Sequence, residues 1–382
     1  KTQPLKALNL YLSAKLRIES LMLSDQVTVK TDELFDFVRQ TLSQAGLSEE
    51  DACITATVLL TSDRRGIASH GVARLKRYLD AIENGVIIPD ASFEIVKETP
   101  VSMVVDGHGG MGAVVAYKTM KRCIEKAKEG YLCFASVRNS NHYGIAGFYA
   151  LMALKEDLIG FSTTNSAPLV VPTFARDAVI GTNPISIGFP GKNSSFLLDM
   201  ATSTVPRGKL EVYARAEKKI PLVWATDERG VPTTDARKVL ENVLYRKGGG
   251  LLPLGGSEEK TGGHKGYGLS VMVDLLTGGL SHGTMATEVY GKKNHPSGVC
   301  HFFGVIDPDA FCGLDRIENQ VDTILSLLKG LSSTNGNDQV FVAGEKEFLA
   351  EKKFEKEVVL QKKVFETLQD IGSDVGLSLQ KV

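Results

Sequence analysis

Leu34, Phe37, Val38 and Leu42 recur at helical spacing behind a Thr31-Asp32-Glu33 start, which predicts the first of two helices between residue 31 and about residue 63. Ser48 followed by Glu49, Glu50 and Asp51 supplies an N-cap and acidic residues for the positive end of the second. A third helix is expected over about 71–84, stopped by Gly85. From about residue 93 the texture changes to short β-rich runs at 101–105, 132–137, 159–163, 179–181, 186–189 and 196–198. Helical patterns at 113–129 and 144–155 separate some of these runs, so an α/β domain with a mixed sheet is expected. A glycine-rich stretch at 248–263 leads into a helical pattern at 267–280, and 299–306 reads as a returning strand. The chain then goes back to helices, at 317–328 and over one charged amphipathic stretch at 346–369. Residues 1–95 and 315–382 are therefore expected to pack together as a discontinuous helical domain beside an α/β domain at 96–314.

With 382 residues the chain exceeds the usual size of one hydrophobic core, which agrees with that division. Its 44 basic and 45 acidic residues leave a formal charge of -1, so the broad basic field that holds nucleic acid or an anionic membrane is missing. Apolar stretches fall well short of the roughly 20 residues a membrane helix needs. Cys53, Cys123, Cys133, Cys300 and Cys312 are scattered without a C-x-x-C pair, as suits reduced thiols in a cytoplasmic compartment. Lys1, Lys6, Lys15 and Arg17 among leucines and serines resemble a transit peptide weakly, and Glu19 and Asp25 weigh against it. No cluster has zinc-ligand spacing, and no metal is expected.

Gly107-His108-Gly109-Gly110-Met111-Gly112 satisfies G-x-G-x-x-G between an expected strand and an expected helix. The following strand should end in an acid that reads the ribose hydroxyls, yet it ends Arg138-Asn139-Ser140. A glycine-rich turn without a ligand is the better reading.

Five other segments carry candidate chemistry. Steps of four place His70, Arg74 and Tyr78 within about 80° on a helix surface, next to Ser69. An imidazole there can exchange a proton near neutral pH and a guanidinium can clamp a carboxylate, although a surface helix with an incidental histidine has the same spacing. His142, in Asn139-Ser140-Asn141-His142-Tyr143-Gly144, stands where a strand gives way to a helix and reads as a ligand contact or a satisfied structural histidine. Thr182-Asn183-Pro184 and Leu198-Asp199-Met200-Ala201-Thr202-Ser203 follow β runs; Asp199 could orient an imidazole or simply cap a turn. In Gly262-Gly263-His264-Lys265-Gly266-Tyr267-Gly268, backbone amides, Lys265 and a helix N-terminus could hold a phosphate, or the segment could be a flexible connector.

Together with Gly181 ahead of Thr182 and with Ala343-Gly344-Glu345, these segments occur in the order found in the malate/L-lactate dehydrogenase family, which the chain resembles over about residues 27–344. That family also includes ureidoglycolate, sulfolactate and 2,3-diketogulonate oxidoreductases and a cyclic-imine reductase. The resemblance implies a non-Rossmann α/β fold, a homodimer with the site near the subunit contact, and NAD or NADP bound by the α/β domain. It implies His70 as proton donor with Ser69 beside it, Asp199 as its relay partner, Arg74 and Tyr78 as substrate contacts, and His142 as a second candidate acid. Cofactor contact would fall to His142, Met200, Ala201, Thr202, His264, Lys265, Ala343, Gly344 and Glu345. The expected activity is hydride transfer between nicotinamide and C2 of a small 2-hydroxy or 2-keto acid. The alternatives are reduction of a cyclic imine, or an inactive binding protein of the same fold. The segment before Asp25, the glycine-rich stretch before Lys265, Tyr143 and Ser281-His282-Gly283 depart from the family pattern.

Overall fold

Helices Thr31–Gln44 and Glu49–Arg64 follow the expected apolar spacing, with Leu34, Phe37, Val38 and Leu42 buried on the first. Ser48 caps the second by accepting the N–H of Asp51. The computed structural model describes residues 26–291, 295–334 and 337–382, so the transit-like segment at 1–25 lies outside the described residues. No helix among the described residues is long and apolar enough to cross a membrane.

The expected third helix is broken. Two 3-10 turns, Ala68–His70 and Val72–Arg74, precede helix Leu75–Glu83. Asp63 makes the break. Its carboxylate accepts the N–H of Val72 at 2.7 Å and occupies the space where a Gly71 side chain would stand, 2.0 Å from a Cβ built there. His70 and Arg74 therefore belong to separate turns and share no continuous helical face.

Seven strands form a mixed sheet in the order β2 (Glu94–Glu98), β3 (Ser102–Asp106), β4 (Leu132–Ser140), β10 (Val299–Ile306), β5 (Ile159–Thr164), β6 (Ile185–Phe189) and β7 (Phe196–Met200). Only β3 and β4 pair in parallel, joined by helix Gly112–Gly130; the other neighbours are antiparallel. The central β10 is almost wholly buried, as a mostly apolar run interrupted only by His301 allows. The run at 179–181 joins no strand of this sheet and makes an isolated bridge from Ile180 to Val170. Beyond β7 a separate small core of Val170, Ile180, Leu210, Ile220, Val239 and Leu251 surrounds the short pair β8 (Ala225–Thr226) and β9 (Gly250–Leu251).

Chain ends meet through β1 (Gln26–Lys30), which pairs antiparallel with β11 (Glu357–Gln361). This overturns the reading of 346–369 as one helix: the segment is helix Glu345–Lys353, then β11, then helix Lys362–Val375. Val358 and Leu360 are buried between exposed neighbours, a period of two that pairing with β1 turns into a strand. One core cluster includes Val29, Leu34, Val358 and Phe365 from the chain ends and Val105, Val137 and Phe303 from the sheet.

The Gly107–Gly112 loop sits at the β3-to-helix crossover, but its polar groups serve the protein. Asn141 donates to the carbonyls of Gly109 and Gly110 at 2.8 and 2.9 Å, and the N–H of Gly109 donates to the Asn139 carbonyl at 2.7 Å. A Cβ on Gly112 would lie 2.1 Å from the Asn141 carbonyl oxygen, so glycine is needed here for the 139–142 segment to approach. That approach delivers His142.

Candidate active site

Two chain segments carry the histidines. His70 closes the first 3-10 turn, and His142 follows the end of β4, held from below by buried Asn141. Their rings stack with centroids 5.5 Å apart and planes 20° from parallel. The hydroxyl of Ser69 lies 3.0 Å from Nδ1 of His70, and Nε of Arg74 donates to the Ser69 carbonyl at 2.6 Å. The broken helix thus still brings Ser69, His70 and Arg74 together, because the second turn folds back on the first.

Ser69, His70, Arg74 and His142 line one cavity of about 360 Å³. Arg77, Arg207, Glu211 and Tyr290 line it too. Arg77 donates to the Tyr290 hydroxyl at 3.1 Å, and Arg207 pairs with Glu211 at 3.0 Å. Three guanidiniums therefore face the space against one carboxylate, a field that favours an anionic guest. Burial first, then the charges of Arg74 and Arg77, push the His70 imidazole down to about 4. Burial likewise holds His142 well below the usual range, with His70, Arg77, Arg74 and His301 adding to it. Both rings are neutral at neutral pH when the cavity holds no guest.

Sequence reasoning missed several of these groups. Arg77 lies one helical step from Arg74, a signal within reach, whereas Arg207 and Glu211 sit in a helix, Arg207–Arg215, without any motif. Buried His301 was also missed: it stacks flat on Tyr143 at 4.5 Å and bonds Thr164 and Ser140, each at 2.8 Å, which burial keeps neutral with its pKa down to about 3.

Two expected roles need correction. Tyr78 is buried and is not among the residues lining the cavity; the contact its hydroxyl makes is with Nδ1 of His142, at 2.7 Å. Asp199 bonds neither imidazole among the described residues. It accepts the N–H of Gly147 at 2.8 Å and lines a second cavity, of about 300 Å³, with Arg65, Ile67, Leu197, Ala343 and Gly344. Strand alternation explains this, since Asp199 is two residues past Leu197 on β7 and faces the same side. Crowding by protein pushes its carboxyl up to about 6.

The segment from Ile67 to His70 walls both cavities, Ile67 on one side and Ser69 and His70 on the other. In the second, the Arg65 guanidinium is buried, bonds Glu351 at 2.7 Å, and keeps one N–H group, Nη2, without a partner among the described residues. Gly344, at φ +84°, packs against Leu197, and Glu345 accepts the Val342 N–H and pairs with Lys329 at 2.6 Å. Met200 and Ala201 are half-buried, and Thr202 bonds the carbonyl of Thr182, a wall of the first cavity. His264 and Lys265 are exposed in the first turn of helix Gly263–Asp274 and line neither cavity. Next to them Gly266 packs on Leu254, whose N–H donates to the Thr202 carbonyl at 2.8 Å.

The sequence profile described as malate/L-lactate dehydrogenase matches residues 29–369. A malate dehydrogenase from Pyrococcus abyssi is 46% identical over 352 residues, 92% of this chain and 96% of that protein. A malate/(S)-sulfolactate dehydrogenase from Methanothermus fervidus is 37% identical over 92% of this chain and 99% of its own length. The crystal structure of malate dehydrogenase from Entamoeba histolytica superposes with a TM-score of 0.89 at 34% identity, covering 93% of this chain and 99% of that one. The chain belongs to the malate/L-lactate dehydrogenase family and is a dehydrogenase acting on the CH-OH group of its substrate.

Proposed function

We propose that the chain interconverts a 2-hydroxy acid and a 2-keto acid carrying two anionic groups, of the malate and oxaloacetate kind, in the cavity around His70. The observation that carries this reading is the three guanidiniums of Arg74, Arg77 and Arg207 around one pair of stacked imidazoles. One carboxylate meets Arg74, and a second anionic group meets Arg77 and Arg207. The two relatives cited above are named for malate and sulfolactate, each with two anionic groups. A lactate-like acid or a cyclic imino acid offers one, and would leave Arg77 and Arg207 without a substrate anion to meet.

A nicotinamide dinucleotide, NAD or NADP, supplies the hydride when bound. The residues present fit such a group. The unpartnered N–H of Arg65 and the Asp199 carboxylate give a donor and an acceptor in the second cavity, beside Ala343 and Gly344. The wall shared with the first cavity leads to Thr182, Thr202 and the imidazoles. We assign phosphate contact to Lys265, exposed in the first turn of its helix. His70 exchanges the substrate oxygen's proton. Ser69 at its Nδ1 can donate or accept, so the other ring nitrogen is able to hold a proton or to lack one.

Fluorescence titration with NADH and NADPH, followed by turnover of oxaloacetate, pyruvate and a cyclic imine, tests this reading. Oxaloacetate should exceed pyruvate in kcat/KM by at least about tenfold, the effect of one charge-assisted contact. Parity would remove the dianion reading, and preference for the imine would replace it with the reductase.

The same reading includes a homodimer working in the cytoplasm, where the free thiols stay reduced. Val271, Met272, Leu275 and Leu280 are exposed along one helical stretch, an apolar face that a second copy would cover. Light scattering should give about twice 41.3 kDa, and Leu275→Glu should shift the protein to monomer. A monomeric parent protein would refute the dimer.

A further inference from the structure

We infer that Tyr78 is a positioning residue that, together with the backbone N–H of Gly144, holds Nδ1 of His142 unprotonated, so that His142 offers a permanent N–H to the substrate while His70 carries the transferable proton. The inference rests on the reading of the first cavity as the place of reaction.

Nδ1 of His142 has two neighbours. One is the hydroxyl of Tyr78 at 2.7 Å; the other is the backbone N–H of Gly144 at 3.4 Å. A backbone N–H can only donate, so Nδ1 must be the ring nitrogen without a proton. The Tyr78 hydroxyl, free to rotate, then also donates to it. The single proton of the neutral ring is left on Nε2.

The surroundings keep the ring in that state. His70, Arg74 and Arg77 face it from the 3-10 turns and the following helix, and His301 lies beyond Tyr143. Glu211, the cavity's carboxylate, is engaged by Arg207. An imidazolium would be desolvated among cations, and it would need a proton on Nδ1, where two donors already point. His142 therefore cannot serve as a base at Nε2, which is already protonated; it can polarise the carbonyl oxygen and stabilise charge that develops there.

His70 differs in one respect. Its Nδ1 meets the Ser69 hydroxyl, which gives or takes a hydrogen bond with equal ease, so both tautomers and the cation are open to it. Two stacked rings of the same chemistry thus divide the work according to what stands behind each. The obligate donor of Gly144 sets the direction at His142, and the shorter contact from the buried tyrosine strengthens it; nothing equivalent stands behind His70.

Nitrogen NMR of the cofactor-free protein labelled with ¹⁵N-histidine tests the inference, with the signals of the seven histidines assigned through His→Gln variants. His142 should show a neutral ring protonated at Nε2 between about pH 6 and 8, below which only lower-pH titration is expected. Tyr78→Phe keeps the ring and its packing, and should populate the Nδ1-protonated tautomer while lowering kcat about tenfold with cofactor affinity unchanged. A purely structural role would lower the melting temperature and leave the tautomer alone. A proton found on Nδ1 of His142 in the parent protein overturns the inference without need of any variant, and an unchanged tautomer in Tyr78→Phe does so as well. Failure of the dehydrogenase reading would look different, as an Nε2-protonated His142 in a protein that reduces no keto acid.

Discussion

Replacing His70 by alanine is expected to lower turnover of the keto acid by about 10²- to 10⁴-fold, the usual contribution of a general acid, while NADH still binds. The side chain lines the cavity without filling it, and its partners Ser69 and Arg74 hold each other through the backbone, so the turn should survive the truncation. The pH dependence has a definite sign. Burial and the two nearby guanidiniums lower the His70 pKa to about 4, so the free enzyme carries the neutral ring at neutral pH. Oxidation of the hydroxy acid needs that neutral form, and its kcat/KM should rise with pH through about 4 to a plateau. Reduction needs the protonated form, and its kcat/KM should fall as pH rises above the same value. An anionic substrate seated on Arg74 and Arg77 offsets their charge and moves the pKa upward in the complex. His70→Ala should abolish both limbs; a variant that keeps them would shift the proton to another group.

Replacing Arg74 by alanine should raise KM for oxaloacetate by roughly 10²-fold with a smaller effect on kcat, because a two-pronged charge-assisted contact of about 3 kcal/mol is lost. Nε of Arg74 already holds the Ser69 carbonyl, which leaves the two terminal nitrogens as the fork. Arg74→Lys should recover little, since an ammonium cannot both anchor Ser69 and grip two oxygens. A melting curve separates the two functions of Arg74: loss of the anchor alone would lower stability and leave the KM for pyruvate and for oxaloacetate unchanged. An unaltered KM would take Arg74 out of the site.

Local patterns made much of the fold legible. The N-terminal helices follow apolar spacing and a serine cap, and β10 is a mostly apolar run, with His301 inside it, of the kind a covered strand buries. Where the signal came from distant residues, the reading failed. Helix 71–84 lost its first turn to Asp63, which nothing in the neighbouring sequence announces. β11 was read as helix because charged stretches flank it on both sides, and only pairing with β1, over 300 residues away, reveals its period of two. The glycine fingerprint had the right local context, a strand-helix-strand unit with a parallel pair, yet its glycines make room for the segment that carries His142.

The site followed the same rule. Ser69, His70, Arg74 and His142 were named from motifs and meet in one cavity. Tyr78 was placed on the correct helix, but its partner is the other imidazole, a contact 64 residues apart in sequence. Asp199 was paired with His70 by analogy, whereas strand alternation turns it toward Arg65 and Gly344. Arg207 and Glu211 lie in a helix that carries no recognised motif, and only the folded cavity shows their relevance.

The most direct test is the fluorescence of NADH bound to the intact enzyme while a non-reacting dicarboxylate such as tartronate is added. If one cavity brings the anion clamp and the imidazoles up against the reduced ring, the emission should change saturably in the parent protein and stay flat in Arg74→Ala. Bound NADH whose emission ignores the dicarboxylate in the parent protein would contradict a shared site.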